Sequence, residues 1–102
     1  EFEQLVWRTM ATCYDPEIPV DIVQLGLVYE CEVTPGADNA FDVHVVMTLT
    51  APGCGMGEIL TNEVREKLAA LPRAGAVRVD LTFDPPWGRE RMSESALLTL
   101  GL

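Results

Sequence analysis

Two stretches of strict alternation, joined by one turn, constrain this chain most. Over residues 27–34, Leu27, Tyr29, Cys31 and Val33 alternate with Glu30, Glu32 and Thr34. Over 41–49, Phe41, Val43, Val45, Met47 and Leu49 alternate with Asp42, His44 and Thr48. Side chains along a strand point to opposite faces, so each stretch predicts a strand with one apolar and one polar face. Between them, Pro35-Gly36-Ala37-Asp38-Asn39 is a run of turn formers, which predicts a hairpin. An apolar face of this kind must be covered by another layer.

Two amphipathic segments can cover it. Phe2, Leu5, Val6, Met10 and Cys13 share one stripe at helical spacing and predict a helix over 2–13, ended by Asp15-Pro16. Met56, Ile59, Leu60, Val64, Leu68 and Leu71 form the stripe of a second helix, stopped by Pro72. Residues 17–26 read as an ordered loop with one helical turn at 21–25. Val77, Val79, Leu81 and Phe83 alternate with Arg78, Asp80 and Thr82 in a third strand, and Asp84-Pro85-Pro86-Trp87 interrupts it because proline has no N–H to donate. Ser93 is placed to cap a short helix over 94–100. The order helix, hairpin, helix, strand, short helix predicts a two-layer α/β sandwich. Its three-stranded or slightly larger mixed sheet is covered by two main helices, with a right-handed parallel crossover from the second strand to the third. The 102 residues make one such domain.

Composition narrows the partners. Seven Lys and Arg against sixteen Asp and Glu give a net charge of −9. No clustered cations are available for a phosphate backbone or an anionic membrane surface, so nucleic acid and membrane are not expected partners. Apolar runs are far shorter than the roughly 20 residues that span a bilayer, and no signal-like segment opens the chain. Cys13, Cys31 and Cys54 are odd in number and contain no CxxC pair. That is neither a disulfide framework nor a zinc knuckle, and it predicts a reducing, cytoplasmic setting.

Cys54 stands out. It lies between Gly53 and Gly55 in the turn that feeds the second helix, where the helix N-terminus favours thiolate over thiol. A thiolate is a nucleophile and a soft ligand for iron, zinc or Cu(I). The alternative is a small apolar residue packed at a tight turn. Cys13 and Cys31 fall on apolar stripes and read as core thiols. His44 lies on the polar side of its strand, too far along the chain from Cys54 to predict a catalytic pair. Asp15, Glu17 and Asp21 gather in one loop, either as a weak hard-cation site or as a solvated loop with a capping role. Trp87, stiffened by its prolines, either covers the core edge or anchors a partner.

Five motifs then occur in order: Asp15-Pro16-Glu17-Ile18-Pro19-Val20; Leu25-Gly26-Leu27-Val28-Tyr29; Met47-Thr48-Leu49-Thr50-Ala51-Pro52-Gly53-Cys54-Gly55-Met56-Gly57; Asp84-Pro85-Pro86-Trp87; and Arg91-Met92-Ser93-Glu94. Together, over roughly residues 3–102, they resemble the SufT/PaaD family of iron–sulfur cluster assembly proteins. The family's reactive cysteine matches Cys54, and its Asp-Pro-Glu and Asp-Pro-Pro-Trp segments match Asp15 to Glu17 and Asp84 to Trp87. Gly55 replaces a proline found in many members. The cysteine-bearing C-terminal segment of PaaD proper does not follow, which favours a SufT-like member.

The resemblance implies an auxiliary role in iron–sulfur cluster assembly or delivery, with the assembly machinery and client apoproteins as partners. Cys54 is then the candidate ligand for a transient iron or iron–sulfur cluster. Asp15, Pro16, Glu17, Thr48, Gly53, Gly55, Asp84, Trp87, Arg91, Ser93 and Glu94 are candidate site or partner-loop residues. One cysteine cannot saturate a cluster that usually takes four thiolates, so a cluster would be shared across a homodimer, with a partner or with a small thiol. A thiol enzyme with Cys54 as nucleophile lacks a general base and a resolving cysteine in sequence reach. A structural adaptor, with Cys54 merely packed, is the third reading.

Overall fold

The computed structural model describes residues 1–15, 18–50 and 57–101. The order of elements is α1 (Phe2–Met10), β1 (Val28–Pro35), β2 (Phe41–Met47), α2 (Gly57–Ala69), β3 (Ala74–Leu81) and α3 (Glu94–Leu100), with single 3-10 turns at Ala37–Asn39 and Arg89–Arg91. The sheet has the order β1-β2-β3; β1 and β2 are antiparallel, β2 and β3 parallel. Three helices with a three-stranded mixed sheet are the predicted sandwich. No helix among the described residues is long and apolar enough to cross a membrane.

The alternation survives folding. Val43, Val45 and Met47 of β2 are buried in register with half-buried Cys31 and Val33 of β1 and Val77 and Val79 of β3. Val6 and Met10 of α1 and Leu60, Val64 and Leu68 of α2 close over this face. The hairpin turns through Asp38 and Asn39, whose φ values of 55° and 64° suit side chains that tolerate the left-handed region. Ser93 caps α3 as expected, its Oγ accepting from Ala96 N at 3.0 Å.

Several boundaries and the burial of Ile59 differ from expectation; β2 ends at Met47 rather than 49 and β3 at Leu81 rather than 83, where Asp84-Pro85-Pro86 follows. Helix α1 stops at Met10, not at 13, because Thr9 and Thr12 turn their hydroxyls onto the carbonyls of Leu5 and Thr9. The Cys13 carbonyl then accepts from Ile22 N at 2.9 Å, so Cys13 remains buried without being helical. Strand β3 starts three residues before Val77. Ile59, expected on the buried stripe of α2, is 60% exposed, because Leu60, Val64 and Leu68 at i, i+4 and i+8 already define the face that meets the core. Met56 lies outside the described residues.

Candidate functional site

The described candidate residues lie on two segments: Asp15 and Thr48 near the stretch that follows β2, and Asp84 to Glu94 in the stretch that follows β3. Thr48 was expected on the polar side of β2, in phase with Asp42 and His44. Pairing of β2 ends at Met47, so Thr48 leaves the alternation and is wholly buried. Its N–H donates to Leu27 O at 2.8 Å. Its Oγ1 has no hydrogen-bond partner among the described residues. An unmade bond on a buried hydroxyl costs about 1–3 kcal/mol. Two residues on, the Thr50 hydroxyl donates to Asp15 Oδ2 at 3.3 Å. Asp15 is itself only 5% exposed, so a buried carboxylate sits against the chain that leads towards Cys54.

The acidic loop divides by role. Asp21 is buried and fully engaged: its Oδ1 accepts from the N–H groups of Val23 and Gln24, both at 3.0 Å, and its Oδ2 from Gln24 Nε2 at 2.9 Å. It shapes the turn at 21–25 and is spoken for. Asp15 faces the other way, onto Thr50. Pro16, Glu17, Gly53, Cys54 and Gly55 lie outside the described residues. Their neighbours do not: Gly57, at the start of α2, packs so closely against Leu49 and Leu81 that an added Cβ would stand 3.1 Å and 3.0 Å from their side chains.

The other cysteines are core groups. Cys13 is buried and places Sγ 3.8 Å from Thr9 O; burial, ahead of opposing and reinforcing nearby charges, raises its pKa. Cys31 is pushed up to about 11, by burial first and by the Glu3 carboxylate second. His44 has a partner of its own, Asp80 Oδ2 at 2.8 Å, which Arg78 Nε shares at 2.9 Å. Among the described residues, no three His, Cys, Asp or Glu side chains come together as a metal-binding group.

The last predicted residues form a strap over the 20–27 loop. Asp84 N bonds the Thr82 hydroxyl at 3.2 Å, and the Asp84–Pro85 peptide is cis. Tyr29 donates its hydroxyl to Pro85 O at 2.7 Å, with the Arg91 guanidinium 4.3 Å above its ring. Trp87 is half-buried against the core and donates Nε1–H to Leu25 O at 2.7 Å. Ser93 N donates to Gln24 O at 2.8 Å, and Glu94 begins α3. Gly26, at φ +75°, lies so close beneath the strap that a Cβ there would collide with the Arg91 carbonyl oxygen. Asp84, Arg91, Tyr29 and Glu30 also line a shallow polar hollow of about 380 Å³.

Residues 3–81 match the family described as iron–sulfur cluster assembly protein. The chain belongs to this family. An Fe-S protein maturation auxiliary factor of Porphyromonas gingivalis is 44% identical over 99 residues, covering 97% of this chain and 90% of that protein. The Fe-S protein maturation auxiliary factor SufT of Staphylococcus aureus is 40% identical over 88 residues, covering 86% of this chain and 96% of its own. The crystal structure of a domain of unknown function from Bacillus anthracis superposes with a TM-score of 0.83 at 36% identity, over 99% of this chain and 92% of that one. The SufT-like resemblance in the motifs is thus borne out. Within this family member, the residue that sequence reading overlooked is Thr50. Only the fold brings it to Asp15, 35 positions earlier, and no local pattern announces the pair.

Proposed function

We propose that this chain is an auxiliary factor in iron–sulfur protein maturation, in which the Cys54 thiolate holds iron or a cluster in passing to client apoproteins. The names of its full-length relatives support maturation over turnover of a substrate. The observation that carries the mechanism is the Thr50–Asp15 contact at 3.3 Å. It brings a buried carboxylate beside the chain four residues before Cys54, with the buried Thr48 hydroxyl close by in sequence. A hard oxygen donor and a soft sulfur donor together suit iron better than either alone. The raised pKa values of Cys13 and Cys31 keep them as thiols, which leaves Cys54 as the cysteine suited to ligation. A cluster held there takes its other ligands from a client, a second copy or a small thiol.

The test is an anaerobic titration with ferrous iron and sulfide, read by visible absorbance, on the wild type and Cys54→Ser. A charge-transfer band in the wild type and none in the variant is the expected result. No band in either protein would turn the reading towards an adaptor that binds partners without the cargo.

A further inference from the structure

One hollow lies away from the carboxyl ends of the strands, between the start of α1, the hairpin turn and the turn from α2 into β3. It measures about 550 Å³. Its apolar wall is made by Phe2, Leu5, Phe41 and Pro72, and two guanidiniums, Arg8 and Arg73, complete it. The wall is ordered by its own contacts. The Phe2 and Phe41 rings stack with centroids 4.9 Å apart. Arg73 lies 5.0 Å over the Phe41 ring and donates from Nε and Nη2 to Asn39 O at 3.1 Å and 2.9 Å. The Arg73 backbone is fixed as well, since its carbonyl accepts from Phe41 N at 2.8 Å.

These contacts use two of the five N–H donors of Arg73. Arg8, in the last turn of α1, makes no ion pair or hydrogen bond with a described side chain. Two of the seven cationic side chains of a chain with net charge −9 therefore share one hollow, with Glu1 as the one acid on its rim. A purely apolar guest would leave both guanidiniums without a match, and a bare inorganic anion would leave the aromatic wall wet. An apolar body carrying a carboxylate satisfies both, because the guanidinium fork fits the carboxylate plane. We propose that this hollow binds a small organic carboxylate of this kind, its apolar body on Phe2, Leu5 and Phe41 and its carboxylate between Arg8 and Arg73. The site is independent of Cys54.

The experiment is a titration of the whole chain, uniformly labelled with nitrogen-15, followed by amide chemical shifts. Cyclohexanecarboxylate is the probe and cyclohexanecarboxamide its neutral counterpart. Saturable shifts at Phe2, Leu5, Phe41 and Arg73 are expected with the acid, and binding about tenfold weaker or absent with the amide. Arg8→Gln, on an exposed helical position, should weaken the acid about tenfold. Arg65→Gln, a guanidinium on α2 outside the hollow, should leave it unchanged. Sodium chloride should weaken the acid and not the amide. The proposal is overturned if the acid gives no saturable shifts at these residues, if acid and amide bind alike, or if Arg8→Gln binds as the wild type does.

Discussion

On the open face of the sheet, His44, Arg78 and Asp80 meet one another in water; beyond the end of β2, the half-buried Thr50 hydroxyl meets the buried Asp15 carboxylate, and Thr48 is buried. His44 and Asp80 are each 40% exposed as side chains, and Arg78 is 73% exposed. Such contacts contribute little and cost little to lose, because solvent replaces them. Asp15 and Thr48 are no more than 5% exposed, and the Thr48 hydroxyl is left without a bond among the described residues. The one histidine of the chain, which chemistry alone would rank high, is satisfied by its neighbours on the open face, whereas the Thr48 hydroxyl is buried.

The contrast can be broken most strongly at the cysteines. Native alkylation with iodoacetamide at pH 8, followed by mass spectrometry of the peptides, should label Cys54 at least about a hundredfold faster than Cys31. With its pKa near 11, Cys31 is only about one part in a thousand thiolate at that pH. Equal labelling of the two would remove the reason for preferring Cys54.

Asp21→Ala comes next. It leaves the N–H groups of Val23 and Gln24 without their acceptor and should lower the unfolding free energy in urea by about 2–3 kcal/mol. Thr48→Val should act in the reverse sense, raising stability by about 1 kcal/mol because it deletes a buried hydroxyl that has no partner among the described residues, at nearly constant volume. If iron and sulfide loading falls in the same variant, the hydroxyl belongs to the site; if loading is unaltered, the hydroxyl is packing alone.

The open face should give the smallest effect. His44 first, then Arg78, holds the Asp80 carboxyl below its ordinary 3.8, with partial desolvation opposing them. A carboxyl depressed in the fold contributes stability that is present above its unfolded pKa and lost as pH falls through its folded one. The dependence therefore lies below about pH 4, and Asp80→Asn should flatten it slightly in acid unfolding followed by circular dichroism. Added salt should shrink the difference between the two proteins.

The hairpin and the α3 cap were legible because alternation and capping are local: Val43, Val45 and Met47 announce their face, and Ser93 announces the helix behind it. The strand order was not legible, since nothing in β2 states which of its edges β3 will take. Thr48 misled because alternation holds only while pairing lasts, and pairing stops one residue earlier. Trp87 left two readings open, and the structure places its ring against the core with its N–H on the Leu25 carbonyl, 62 positions away. Main-chain acceptors carry no side-chain signature, so no pattern could have named that partner. For the site, Asp15 and Thr48 were singled out while Thr50, in the same motif as Thr48, was not, and the expected exposure of Cys54 lies outside the described residues.

The strap over residues 82–93 and its dock share three hydrogen bonds to main-chain oxygens, beside the Arg91 guanidinium over the Tyr29 ring and the Ser93 hydroxyl on Gln24 Oε1. Trp87 takes the main-chain oxygen of Leu25, Tyr29 that of Pro85, and the Ser93 amide that of Gln24. Every residue type offers the same carbonyl, so these bonds do not themselves select the accepting side chains; Leu25 is held by its burial and Gln24 by its contacts with Asp21 and Ser93. Gly26 is the exception, because there the missing side chain is itself the fit against Arg91. The hydrogen bonds of the dock thus leave its side chains to be chosen by packing, and at Gly26 packing allows none. A random library across 20–27, sorted for folding, should therefore come back apolar at the buried positions Val20, Ile22, Leu25 and Leu27 and nearly invariant at Gly26.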